Sequence, residues 1–470
     1  MFFRSIILCM CITVCVSAKD KYNVLFIISD DLSATALSSY GNQVCKTPNI
    51  DRLAERGTLF TKAYCQATYC GPSRASFMSG YYPDATGVFG YVSGRKAIGD
   101  RETWAEYFKN QGYHTARVSK IFHMPVPKGI EEGSDGSDDP RSWSEKYNCQ
   151  GPEWKALGVG ETLEGNPDGK RPVVGGNTFV RVEAEGDDLV HSDGKAAVKA
   201  IELLNKYKDM DKPFFLGVGF VRPHVPFVAP KKYYKDYPWQ EMELPSKLEG
   251  DWNDIPKKGI NYKTSENMKM SLEQQKKAVS AYYASVTYMD VQVGKVLDAL
   301  EDSGQADKTI VIFTSDHGYH LGEHDFWAKV SLKDESIRVP LIISMPGGEA
   351  LQSDSLVELL DLFPTTTKLC TLEIPDRIQG KDISELLRDP QIKVRENILS
   401  ANNKGWVLQG KRWSYSRYKG KTPNEELFDL QKDPKQYTNL IKNPEYLHVV
   451  KEMRTAFTNK MKAVKTNDLK

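Results

Sequence analysis

Asn23-Val24-Leu25-Phe26-Ile27-Ile28-Ser29-Asp30-Asp31 is an unbroken apolar run closed by two carboxylates. A strand buried on both faces reads this way, and parallel sheets bury both faces. Lys308-Thr309-Ile310-Val311-Ile312-Phe313-Thr314-Ser315 repeats the design and closes on Asp316-His317. Phe214-Phe215-Leu216-Gly217-Val218-Gly219-Phe220 is a third run, leading into Arg222-Pro223-His224, and Val339-Pro340-Leu341-Ile342-Ile343 is a fourth. Helical patterns lie between them, from Thr103 to Gln111, Lys195 to Tyr207 and Leu272 to Ser303. The alternation predicts an α/β fold with a large, mostly parallel sheet flanked by helices. Ligands gather beyond the C-terminal ends of such strands, so the polar residues closing each run are candidate site residues.

Residues 125–192, dense in Gly, Asp, Ser and Pro, and residues 229–271 read as rim excursions over that edge. From about residue 385 the pattern changes to short strands around Asn397–Ser400, Gly405–Leu408, Lys411–Ser416 and Glu426–Leu430, then an amphipathic helix from Glu445 to Ala463. The expected organisation is a leader at 1–18, a catalytic domain at 19–385 and a smaller C-terminal subdomain at 386–470. The leader has Arg4, an apolar core from Ile6 to Val16 and small residues at Ser17-Ala18, which predicts a cleaved export signal and a periplasmic or secreted protein. No later stretch is long and apolar enough for stable membrane insertion. The 63 Lys and Arg balance 62 Asp and Glu, which argues against a nucleic-acid surface and makes any anion selectivity local. Beyond the leader stand Cys45, Cys65, Cys70, Cys149 and Cys370. With Cys70 set aside, the other four allow two disulfides or four buried thiols.

Cys70-Gly71-Pro72-Ser73-Arg74 places a small nucleophile position beside a turn-forming pair and a permanent cation. The segment after it, Ala75 to Gly80, reads as a helix whose N-terminal amides attract an anion, with Pro72 suited to the first helical position. Asp30, Asp31 and Asp316 would meet if their strands are neighbours. Three carboxylates at one point need a cation or proton between them, and oxygen ligands favour Ca²⁺, with Mg²⁺ second. Either acidic pair alone would equally cap a strand-to-helix turn. Lys120-Ile121-Phe122-His123, Arg222-Pro223-His224 and Trp327-Ala328-Lys329 supply further cations and proton carriers. His320 and His324 sit four apart, but Gly318 and Gly322 disfavour the helix a zinc site would use.

The Cys-x-Pro-Ser-Arg signature, with these motifs across residues 22–445, resembles the type I, formylglycine-dependent sulfatases. Among them the chain is most similar to iduronate-2-sulfatases and to bacterial ulvan-type polysaccharide sulfatases. The resemblance implies an alkaline-phosphatase-like sandwich with a smaller C-terminal antiparallel sheet and helix. It implies that Cys70 is oxidised to formylglycine (3-oxoalanine) by a formylglycine-generating or anaerobic sulfatase-maturing enzyme, and that the hydrated aldehyde attacks sulfur. It assigns Asp30, Asp31, Cys70, Asp316 and His317 to calcium, and Arg74 to the aldehyde hydrate. It assigns Lys120, His224 and Lys329 to sulfate, His224 also as general acid, His123 as base and His320 to the substrate pocket. Ser119 stands where the family carries Gly, and Glu335 with Arg338 reads as a supporting ion pair. The expected activity is hydrolysis of sulfate esters on sugars of an acidic sulfated polysaccharide or its oligosaccharides. Arg95, Arg141 and Arg222 are candidates for a uronate carboxylate, and Tyr91, Trp143, Trp154 and Trp239 for sugar stacking. A phosphomonoester or phosphonate hydrolase on the same scaffold, or an inactive glycan-binding homologue, is the alternative.

Overall fold

The computed structural model describes residues 21–165, 178–420 and 424–469. The expected export signal, with Cys9, Cys11 and Cys15, lies outside the described residues. Eight strands form the main sheet, in the order Leu351–Ser353, Thr58–Phe60, Leu341–Ser344, Thr309–Ser315, Asn23–Asp30, Phe214–Pro223, His114–Ser119 and Glu145–Tyr147. Every pairing is parallel except the two made by Leu341–Ser344. That strand is the core of the fourth apolar run; Arg338–Val339 pairs instead with Ala63–Tyr64 in a small separate sheet.

The unbroken apolar runs follow from the two faces of the sheet. Leu25 and Ile27 point into one core, with helices Ser192–Tyr207 and Leu272–Asp302. Val24, Phe26 and Ile28 point into the other, with Phe77, Trp104 and Phe363. Alternate residues of one strand therefore serve two cores, so Val24 to Ile28 are all apolar. The longest helix, Leu272–Asp302, starts at a capping box in which Ser271 and Gln274 satisfy each other's backbone amides. The helix predicted from Thr103 runs over Trp104–Asn110 and opens on a box made by Thr103 and Glu106.

Strands Asn397–Ala401, Gly405–Gly410, Trp413–Tyr418 and Asn424–Asp429 form a four-stranded antiparallel sheet covered by helix Leu447–Lys465. It is not isolated from the main body: Ala67 bridges Ala401, and Thr68 N–H donates to Ala401 O at 3.2 Å. The five cysteines among the described residues are all unpaired and buried, which favours the reading of thiols over disulfides. Among the described residues no helix is long and apolar enough to cross a membrane.

Candidate active site

Parallel register brings the acidic strand ends together. Ser29 pairs with Ser315, so Asp30 and Asp316 leave adjacent strands at the same level. On the other side Asp30 pairs with Pro223, next to His224, and Ser119 pairs with Gly219, next to Lys120. Site residues thus emerge from the C-terminal ends of four neighbouring parallel strands. The backbone turns sharply there: a Cβ at Gly219 would lie 2.0 Å from Lys120 O, so only glycine fits. Ser119 sits at φ 57°, and its buried hydroxyl has no partner among the described residues. That left-handed backbone is the physical reason for glycine at this position. Ser119→Gly is expected to raise stability by about 1 kcal/mol, read from the denaturation midpoint.

The helix carrying the Cys70 motif starts at Cys70 itself and runs to Ser79, with Tyr69 as the extended N-cap. Pro72 is therefore its third residue, not its first. A first-turn proline is tolerated there because that amide has no partner within the helix. Cys70 Sγ lies 3.2 Å from Lys329 Nζ, 3.3 Å from His317 Nε2 and 3.5 Å from Asp31 Oδ1. Burial, followed by Asp30, pushes the Cys70 thiol well above its ordinary pKa. As a thiol it is a poor nucleophile here.

Arg74 is fully buried and spends its donors around this centre without touching the sulfur. Nε donates to Asp316 Oδ2 at 2.9 Å, Nη2 to Asp30 Oδ1 at 3.1 Å, and Nη1 to the carbonyls of Lys120 and Ile121. Its contacts tie Asp30 and Asp316 to the strand end at Lys120. Lys120 Nζ pairs with Asp30, and Lys329 Nζ contacts both oxygens of Asp31 at 2.6 and 2.8 Å. Burial alone would raise the Asp30 carboxyl; Lys120, with Arg74 and Lys329, overcomes it and holds it well below the usual range. Asp31 is held down in the same way, with Lys329 against both of its oxygens. Lys329 itself is flanked by Ala328 at φ 63° and Val330 at φ 81°. Such backbone persists only when its surroundings fix it. Val330 N–H donates to Thr68 O at 3.1 Å, and Asn402 Nδ2 donates to Val330 O at 2.6 Å. The C-terminal sheet thus braces the lysine loop and the approach to Cys70 together.

Two histidines are oriented by carbonyls. A carbonyl only accepts, so His317 Nδ1 donates to Gly318 O at 2.9 Å, which aims Nε2 at Asp31 Oδ1, 3.1 Å away, and at Cys70. His224 Nδ1 donates to Val225 O, which aims Nε2 at Asp31 Oδ2, 3.8 Å away. Burial lowers the His224 pKa to about 3. Burial and Lys120 lower that of His123 to about 2, so both rings are neutral at pH 7 in this state. The His123 ring is stacked on Tyr91 with centroids 4.3 Å apart.

Other candidates stand elsewhere. His320 is fully buried; its Nε2 contacts Ser331 Oγ at 2.7 Å and its ring packs on Phe326. His324 Nδ1 donates to Asp251 Oδ2 at 2.8 Å. Arg338 pairs with Asp334 at 2.7 Å, so the supporting ion pair is with Asp334, one turn back, and not with Glu335. All three arginines proposed for a uronate already have carboxylate partners. Arg95 pairs with Glu106 and Asp139, Arg141 with Asp100 and Glu106, and buried Arg222 with Glu153. Trp143 is buried, with Nε1 donating to Asp138 Oδ1 at 3.0 Å, and Lys277 lies over Trp239. Trp154 packs against the Val180–Val182 cluster. Tyr91, 52% exposed and stacked on His123, is the sugar-stacking candidate that stands at the centre.

Sequence reading missed the groups that hold His224. Asp193, at the start of helix Ser192–Tyr207, accepts from the amides of Val221 at 2.8 Å and Arg222 at 2.9 Å. Arg222 Nη1 donates to His224 O at 2.9 Å. An acidic residue in the first turn of that helix was the available signal for Asp193; Glu153 had none.

The donor set suits a divalent cation. Asp30, Asp31, Cys70 and His224 form one group of converging ligand atoms, and Cys70, Asp316 and His317 another. Both include Cys70 and make one centre, in which carboxylate oxygens dominate and His317 Nε2 is aimed inward by the hydrogen bond of its second nitrogen.

A buried carboxylate centre at the C-terminal edge of a doubly covered sheet faces a cysteine at a helix N-terminus, within an alkaline-phosphatase-like fold. The family model described as Sulfatase matches residues 22–371, and one described as N-sulphoglucosamine sulphohydrolase, C-terminal, matches 322–463. The chain is 36% identical over 403 residues to the iduronate 2-sulfatase of Homo sapiens, covering 77% of this chain and 71% of that one. It is 33% identical over 444 residues to a sulfatase of Formosa agariphila, covering 90% and 84%. A phosphonate monoester hydrolase from Silicibacter pomeroyi shares the fold, with a TM-score of 0.77 at 20% identity over 94% of this chain and 96% of that one. The chain belongs to the sulfatase family and is a sulfuric ester hydrolase. Members of that family use a formylglycine and a divalent metal.

Proposed function

We propose that this protein hydrolyses sulfate esters on sugars of an acidic sulfated polysaccharide or its oligosaccharides, ulvan or a polymer with 2-O-sulfated iduronate being the leading substrates. Residue 70 acts as formylglycine made by a separate maturing enzyme, calcium is the metal, and the protein is exported. The observation that carries the reading is Cys70 itself, at the first turn of a buried helix within 3.5 Å of Lys329, His317 and Asp31. Asp30, Asp31, Asp316 and His317 would hold the cation, which supplies charge that favours an oxyanion at residue 70. Lys120, Lys329 and the His224 ring bind the sulfate oxygens as they gather charge. The anionic ester draws a proton onto His224, because nearby negative charge favours the imidazolium, and Nε2 passes it to the departing sugar oxygen. His123, neutral and oriented by Tyr91, accepts the proton released when residue 70 regains its carbonyl. The exposed face of Tyr91 offers the sugar ring an apolar surface. Residues 386–470 act as a smaller subdomain bracing the site.

The test is sulfate release, by ion chromatography, from defined ulvan and glycosaminoglycan oligosaccharides, beside phosphonate and phosphate monoesters. Sulfate release should dominate, fall about a hundredfold or more under a chelator and return with Ca²⁺. Preferential hydrolysis of the phosphorus esters would replace this reading with the alternative.

A further inference from the structure

We propose that the pocket floored by Asp251 and His324 is a second saccharide subsite, which takes a sugar ring further along the chain whose sulfate is presented at residue 70. The inference rests on the sulfatase reading and deepens it to an oligosaccharide substrate. The pocket has a volume of about 300 Å³ and is lined by Lys247, Leu248, Asp251, Trp252, Asn253 and His324. That is the lower end of the range for small-molecule sites.

Its floor holds an unsatisfied acceptor. Asp251 is buried; Oδ2 accepts from His324 Nδ1 at 2.8 Å, while Oδ1 is buried with no partner among the described residues. Buried carboxylate oxygens are rarely left so, and an ionised one can only accept. A sugar hydroxyl is the donor that suits it. The walls are apolar: the Trp252 ring packs near Phe326, its Nε1 donates to His324 O at 2.8 Å, and Leu248 is 54% exposed. An aromatic wall for C–H faces, a carboxylate for hydroxyls and the exposed Asn253 amide are the chemistry of a pyranose site. Among the described residues that line it the one Lys or Arg, Lys247, is paired with Asp325, so the pocket favours ring hydroxyls over a sulfate group.

Its position fits the same chain of sugars. His324 and Lys329 are five residues apart, a separation of at most about 18 Å. Between them Phe326 bridges Thr264, and Trp327 N–H donates to Lys263 O at 3.0 Å. The same rim segment reaches the pocket edge, where Ser265 bonds Asp325. A few linked sugars reach across even the largest such separation.

The test is calorimetric binding of heparan sulfate and ulvan oligosaccharides of two, four and six sugars to Cys70→Ala protein, with and without Trp252→Ala. The six-sugar ligand of one polymer should bind about tenfold tighter than its two-sugar ligand, and Trp252→Ala should remove that gain while leaving two-sugar affinity unchanged. Unchanged two-sugar affinity also reports that the variant is folded. Asp251→Asn, which turns the free acceptor into a donor while keeping an oxygen for His324, should remove most of the same gain. Affinity independent of length, or a gain that survives Trp252→Ala, overturns the subsite. Failure of the sulfatase reading shows separately, as Cys70-containing protein that releases no sulfate from any of these ligands.

Discussion

Cys70→Ala is expected to leave the fold intact and to reduce sulfate release by about four orders of magnitude or more. The sulfur is a small part of a well-packed helix start, and the charge pairs around it do not depend on it. Lys329 still reaches Asp31, Arg74 still ties Asp30 to Asp316, and the helix still begins after Tyr69. The melting temperature should therefore move by only a few degrees, as for a small truncation that leaves no unpaired charge. The loss of rate has a chemical cause. Burial and Asp30 push the thiol's pKa up, so the unmodified side chain offers almost no thiolate at neutral pH. Activity then requires the modified residue, and the Cys70 peptide of active protein should be lighter by about 18 Da, as sulfur and two hydrogens leave and one oxygen enters. Parent-level activity in Cys70→Ala, or an active protein whose Cys70 peptide keeps its thiol mass, would overturn the role given to this residue.

The parts of this molecule that were legible in its sequence share one property: they are local. The Asn23–Asp30 and Thr309–Ser315 strands announce themselves because both faces are buried and each ends in acid. Once these strands are neighbours, Asp30 and Asp316 have to meet. Direction is not local. The run containing Leu341–Ser344 reads as a buried strand either way round, and only the connection before it makes it antiparallel. Ion-pair partners are not local either. Arg222 carries no sign that its partner is Glu153, and Arg95 and Arg141 none that they share Glu106, so three surface-like arginines proved to be already committed. His320 shows the same limit from the other side: the family resemblance places it in the substrate pocket, while strand pairing with Ala328 buries it. Ser119 was visible as a departure from a glycine pattern, but the left-handed backbone that explains the pattern needed coordinates.

Glu153→Gln is expected to destabilise the protein by about 3 kcal/mol and to lower turnover beyond what lost folding accounts for. Arg222 and Glu153 are both buried, and the guanidinium donates to Glu153 Oε1 at 2.6 Å and to Oε2 at 2.5 Å. Neutralising the carboxylate leaves a permanent charge in a dry interior, because an arginine cannot shed its proton there. The second effect follows from the other end of the same group: Arg222 Nη1 holds the carbonyls of His224 and Pro226, and so sets where Nε2 stands over Asp31. The two effects separate in a double variant. Replacing Arg222 and Glu153 together by Met removes both charges, and such swaps of buried pairs are often near neutral in stability. The double variant should recover much of the stability lost in Glu153→Gln, read by chemical denaturation. It should not recover kcat, because no donor is left for His224 O. Recovery of both would make the pair a matter of folding alone, whereas a stable protein that turns over slowly places Arg222 in the positioning of His224.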